Sequence, residues 1–248
     1  MPLRPIIIYC LFLLLPLAGC ATTQTANKSA EVYFKEGEDS FKAKHYEDAI
    51  AQWKKVKESY SSPELTAMAE LRIADAHYDN KSYIEAAAAY ENFRKFHPNH
   101  EKSPYALYRL GLCYYEQITG IDTDQTPVKN AVVTFEDFLK QYPATGYATE
   151  VRQKLADCIT KEAEHEIYVG RFYFRTEKYA AAIKRFEECI KTYSTSPALD
   201  EALFYLGKAY ILTGDRTKGR ETLDRLGKEF PASKFLIEAR KFRQKYDR

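Results

Sequence analysis

Cysteines, histidines and clustered acids are where chemistry could start in this chain. Five cysteines stand at Cys10, Cys20, Cys113, Cys158 and Cys189. None has the CxxC spacing that a tetrahedral metal site or a dithiol redox motif requires. Cys113, Cys158 and Cys189 are expected as small buried hydrophobes, with a disulfide as the alternative in an oxidising compartment. Two imidazoles approach in His97-Pro98-Asn99-His100, but the proline puts them in a turn with no further ligand nearby in sequence. His45, His77 and His165 are isolated. Glu162, Glu164 and Glu166 lie two apart, so on a helix they diverge and read as solvated surface. No GxSxG, GxxxxGK[ST], GxGxxG or HExxH motif occurs. The expectation is a protein with no catalytic residues, no cofactor and no metal.

Cys20 stands apart from the other four. Arg4 precedes an almost wholly apolar run from Ile6 to Leu17. That run is shorter than the about 20 residues a spanning helix needs, contains Pro16 and stops at small residues. Residues 1–19 therefore read as a signal peptide. The stop, Leu17-Ala18-Gly19-Cys20, resembles the lipobox of bacterial lipoproteins. The resemblance implies cleavage before Cys20, diacylglycerol transfer to its sulfur and acylation of the new amino terminus, palmitate included. One acyl chain binds a membrane marginally; several anchor it stably. Ala21, where aspartate would favour inner-membrane retention, implies the outer membrane. Residues 20–30 are polar and aperiodic, a tether of roughly 18 Å as a random coil.

These residues need a scaffold, and the composition suits a helical one. At 45% hydrophobic and 29% charged, the chain fits soluble helices with one buried stripe each. The net charge of +2 lacks the basic excess of a nucleic-acid footprint. Lys and Glu are interspersed, without blocks of like charge.

A small residue recurs in an aromatic setting: Gly37, Ala74, Gly111, Gly170 and Gly207, at separations of 37, 37, 59 and 37. Twelve residues on come Ala49, Ala86, Ala182 and Gly219, and four later Trp53, Tyr90, Phe186 and Leu223. In the third unit the pair is Ala131 and Phe135, displaced by eight. Prolines at 63, 98, 143, 197 and 231 end the units. The pattern resembles the tetratricopeptide repeat. Small residues on facing helices allow close backbone approach, with the large residue one turn away filling the groove. The fold class is all-α: a right-handed α-solenoid of about five helical hairpins with a C-terminal capping helix.

The long gap has two sources. Gln117 to Val128 reads as a loop. Tyr147 to Arg175 lacks proline, and predicts one helix of roughly 29 residues, about 43 Å long. The expected organisation is repeats 1–3 over 31–145, and over 146–248 the long helix, repeats 4–5 and a cap. Ser233 is placed to cap that last helix, with Phe235, Leu236, Ala239, Phe242 and Tyr246 on one face.

The chain as a whole resembles the BamD family, outer-membrane lipoproteins of the β-barrel assembly machinery in Gram-negative bacteria. Three stretches carry the resemblance: Tyr33 to Trp53, the insertion DTDQTPVKNAVVTFEDFLKQYP running into ATGYATEV, and EHEIYVGRFYFRTEKYAAAIKRFEECIKTY. It implies a non-enzymatic protein, lipid-anchored on the periplasmic face of the outer membrane. Its partners would be the POTRA domains of a BamA-like barrel-forming protein, accessory lipoproteins of the complex and unfolded outer-membrane proteins. Arg185 matches the family arginine of POTRA docking, and Tyr179 a family aromatic in the same region. Tyr60 aligns with a family tyrosine of substrate reception. Thr176 stands where some relatives carry a second docking arginine. The other reading is a periplasmic repeat scaffold of the Tol–Pal system or the cell wall.

Overall fold

The computed structural model describes residues 28–59 and 62–246. The leader, Cys20, the tether up to residue 27 and Tyr60 lie outside the described residues. Eleven α-helices and no strand occur among the described residues. They are α1 Ala30–Lys42, α2 Tyr46–Glu58, α3 Pro63–Asp79, α4 Tyr83–Phe96, α5 Ser103–Glu116, α6 Thr126–Gln141, α7 Ala148–Arg175, α8 Tyr179–Thr192, α9 Leu199–Leu212, α10 Arg216–Glu229 and α11 Leu236–Tyr246. Each helix packs on the next, and α1 also meets α3, α5 meets α7, α7 meets α9, and α9 meets α11. This is an α-solenoid of five hairpins closed by an eleventh helix.

The 37-residue period reappears in the backbone. Four hairpins turn through one residue with positive φ: Lys44 (62°), Lys81 (62°), Glu177 (59°) and Gly214 (95°). In the first, Lys44 N donates to Phe41 O and His45 N to Ser40 O, closing the helix end as a Schellman-type cap does. Only the fifth hairpin spends a glycine there, so three L-residues accept a left-handed strain of roughly 1 kcal/mol each. The third hairpin replaces the short turn with the 117–125 loop. That loop ends earlier than its composition suggests. Pro127 lies in the first turn of α6 and starts the helix, because its missing N–H is unpaired there in any case. Pro63 likewise opens α3 rather than ending the preceding hairpin.

The recurrent small residues prove to be sockets. A Cβ on Gly37, Gly111 or Gly170 would lie 2.5, 2.4 or 2.5 Å from a ring atom of Trp53, Phe135 or Phe186 respectively. The large residue thus sits on the glycine itself rather than in a groove beside it. In the fifth hairpin the backbone itself comes close, and a Cβ on Gly219 would lie 2.9 Å from Gly207 O. Trp53, Tyr90, Phe135 and Phe186 are fully buried, each contributing about 2–3 kcal/mol.

Three apolar clusters run along the array, over α1–α3, over α3 to the first half of α7, and from the second half of α7 to α11. Helix α7 changes allegiance between Cys158, in the middle cluster, and Ala163, in the last. At the end, Ala239 is buried, and Phe235, Leu236, Phe242 and Tyr246 pack against that last cluster, the face expected for a cap. Ser233 does not cap α11. Its Oγ accepts from Phe235 N at 3.1 Å and donates to Asp200 at 2.8 Å, tying the preceding turn to α9. No described helix is long and apolar enough to cross a membrane.

Candidate partner-docking site

Arg185 lies midway along α8, on the side that meets α7. Its Nη1 donates to Glu166 Oε2 of α7 at 3.0 Å, and its side chain remains 44% exposed. The α7 acids are not simply solvated, as their spacing suggested. Glu162, Glu164 and Glu166 are all partly buried. Burial holds the Glu162 carboxyl above its ordinary value; Lys129 pulls it back, while Glu136 and Glu166 push it further up. Arg185 thus extends from a locally acidic seam, held at one nitrogen by a single carboxylate.

Tyr179 opens α8 and is half-buried. Its ring meets Phe174 edge-on, centroids 5.4 Å apart, and Phe174 in turn meets Tyr205 of α9 at 5.2 Å. The neighbouring Thr176 closes α7, its hydroxyl donating to Phe172 O at 3.0 Å. Arg175 next to it is exposed. Lys208 of α9 joins the same aromatic group, its Nζ lying 4.7 Å from the Phe204 ring centroid and 3.1 Å from Glu238 of α11.

The other residues singled out by type are structural. Cys113, Cys158 and Cys189 are free and buried, and burial pushes each thiol up to about 12. Such thiols stay protonated near neutrality and are poor nucleophiles. His97 and His100 find separate carboxylates on α3, Glu70 at 2.8 Å and Glu64 at 3.3 Å, with the ring of Phe93 against both.

The most elaborate polar structure escapes a reading of the sequence. Asp75 of α3 is buried. Its Oδ1 accepts from Tyr90 of α4 at 2.6 Å and Tyr105 of α5 at 2.8 Å, and its Oδ2 from Arg72 Nη1 at 3.1 Å. Arg72 also grips Glu38 of α1 with Nε and Nη2, at 2.6 and 3.0 Å. Arg109 of α5 donates to Tyr90 Oη at 3.1 Å and stacks over Tyr78 at 3.8 Å. One signal does exist: Arg72 and Arg109 each stand two residues before the recurrent small residue, 37 apart.

Five paired hairpins, four of them with a large side chain seated on a glycine, define a tetratricopeptide-type repeat scaffold. The chain belongs to the YfiO family of outer membrane lipoproteins, whose model matches residues 26–226. It is 28% identical to the outer membrane protein assembly factor BamD of Caulobacter vibrioides, over 90% of this chain and 75% of the relative. It is 29% identical to the protein of that name from Rickettsia prowazekii, over 94% of both chains. Among solved structures it is similar to the TPR2AB domain of yeast Sti1, at 16% identity and a TM-score of 0.42, covering 88% of this chain and 98% of that one. The fold assignment rests on the helix pairing above, not on that distant likeness.

Proposed function

We propose that this chain is a non-catalytic component of an outer-membrane β-barrel assembly complex. It docks on the POTRA domains of the barrel-forming partner through its C-terminal repeats, alongside accessory lipoproteins. Its N-terminal repeats receive unfolded outer-membrane proteins, with Tyr60 as the residue that the family resemblance assigns to this role. An acylated Cys20 holds it on the periplasmic face of the outer membrane. The observation that carries this reading is the extent of the likeness: the family match spans 26–226, and named assembly factors align over 90% or more of the chain.

The surroundings of Arg185 support its docking role. Glu166 occupies one nitrogen of a planar five-donor fork, and the exposed remainder can take a second carboxylate from a partner. Tyr179, its ring edge-on to Phe174, opens the same helix about 9 Å along the axis from Arg185, so any contact it makes is a separate one. The test is co-purification from detergent-solubilised envelope. Arg185→Glu is expected to reduce recovery of the barrel-forming partner at least about tenfold while helicity stays native. Wild-type recovery would refute the docking role. Recovery of cell-wall enzymes or a Pal-type lipoprotein, without any barrel-forming partner, would refute the whole reading. Cys20→Ser should move the protein to the soluble periplasmic fraction; continued membrane fractionation would count against acylation.

A further inference from the structure

Charge is segregated along this array. Residues 216–248 hold 11 Lys and Arg against 5 Asp and Glu, whereas residues 1–215 hold 26 against 30. The interspersed charges therefore average to a mildly acidic body with a strongly basic end. That kind of asymmetry points to a polyanionic surface as partner.

The last helix shows how the excess is displayed. One side of α11, with Leu236, Ala239, Phe242 and Tyr246, faces the core. At 100° per residue, the opposite side carries Ile237, Arg240, Lys241, Gln244 and Lys245, and all five are exposed. The helix has one acid, Glu238, and Lys208 of α9 neutralises it at 3.1 Å. Arg243, between the two sides, is paired with Asp224 of α10 at 2.5 Å. Arg240, Lys241 and Lys245 meet no carboxylate at ion-pair distance among the described residues. Ile237, in their midst, is 65% exposed.

We propose that this outer face of α11 seats on an anionic phospholipid surface. Three cations without a carboxylate partner among the described residues surround one projecting branched side chain. Basic side chains near an anionic leaflet attract it by about 1 kcal/mol each, and a single apolar side chain among them can enter the headgroup boundary while the long basic stems stay with the phosphates. An acidic protein partner fits less well. Protein hot spots are richest in Trp, Tyr and Arg, and of these the described outer face offers Arg240 without an aromatic beside it. The aromatic residues of α11 are instead committed inward, Phe242 stacking on Tyr246 at 4.5 Å. Helix α11 closes the end of the array opposite to α1, which Cys20 precedes, and the contact does not depend on partner docking. Together with a lipid at Cys20 it would supply a second membrane signal and lay the array along the membrane.

The purified full chain is mixed with vesicles of phosphatidylcholine alone, or with one third phosphatidylglycerol. A water-soluble amine-acylating reagent then reports lysine exposure. Labelling of Lys241 and Lys245 is expected to fall about threefold or more on the anionic vesicles, with Lys44 and Lys81 unchanged as references. Salt at about 0.5 M should abolish the difference. The double variant Ile237→Ser, Arg240→Gln alters exposed side chains only, and should lose the protection at unchanged helicity. Equal labelling on the two vesicle types overturns the proposal. So does protection that appears only when an acidic soluble protein domain is added, which would assign the face to a protein partner.

Discussion

The joint around α3–α5 and the joint between α9 and α10 both centre on the recurrent small residue of a repeat, and they are closed by opposite physics. In the first, a buried carboxylate gathers two tyrosine hydroxyls and an arginine from three helices. In the second, Gly207 and Gly219 leave room for Leu223 and Ile211 to seat on them and for each glycine's carbonyl to approach the other. A buried polar cluster adds little net stability when complete, yet costs much when one member is removed. It therefore selects one arrangement of neighbours. Close backbone packing selects by shape alone, and tolerates no added volume. The N-terminal joint is thus specified by hydrogen-bond chemistry, and the C-terminal one by steric fit.

Breaking each joint by its own means should separate the two. Asp75→Ala leaves the Tyr90 and Tyr105 hydroxyls and one Arg72 nitrogen without their acceptor, at a cost of about 3 kcal/mol or more in urea unfolding. Asp75→Asn keeps an acceptor and should cost less than half as much. A loss below about 1 kcal/mol for the alanine variant would mean that water satisfies the cluster. Gly219→Ala comes next, at about 2 kcal/mol. Its Cβ would meet Ile211 Cγ1 at 2.4 Å and Gly207 O at 2.9 Å, and the carbonyl cannot swing aside as a side chain could. Gly146→Ala is the control, since nothing lies within 4 Å of a Cβ there. Equal melting temperatures for the two alanine variants would remove steric fit as what closes the second joint.

The two joints are unequally legible in the sequence. Gly207, Gly219 and Leu223 announce themselves, because a small residue at a fixed period has few other reasons to be there. The same period carries the helical hairpins, and the absence of proline from Tyr147 to Arg175 carries the long α7. Asp75 leaves no such trace. It follows the small residue Ala74, and the equivalent positions in the other repeats hold Glu38, Leu112, Arg171 and Lys208, which share no polar pattern. Its tyrosine partners lie 15 and 30 residues away. Pairings of that kind are decided by tertiary contact, so local periodicity does not encode them. Arg185 shows the same limit. A family motif singles it out, whereas its bond to Glu166, 19 residues back on another helix, is visible only in the fold.

The comparison extends to pH, with smaller effects of opposite sign. Burial lowers His77 of α3 from 6.5, chiefly because its charged form is poorly solvated there; Glu47 and Glu85 oppose the shift and Lys54 adds to it. Below pH 6.5 the unfolded chain then binds more protons at this site than the folded one, so stability falls as the pH drops toward the lower folded value. Glu162 of α7 is raised above 4.5, again chiefly by burial. Here the folded chain binds more protons, so stability rises as the pH drops through the raised value toward 4.5. Both groups are only partly buried, and solvent screening keeps each contribution below about 1 kcal/mol. Thermal melts between about pH 7.5 and about pH 4.5 should show His77→Gln flattening the loss that begins near the ordinary histidine value. Glu162→Gln should add a few tenths of a kcal/mol at neutral pH and abolish the opposing gain. If both variants shift the profile in the same direction, the α3 and α7 surroundings do not differ in the way their burial and neighbouring charges require.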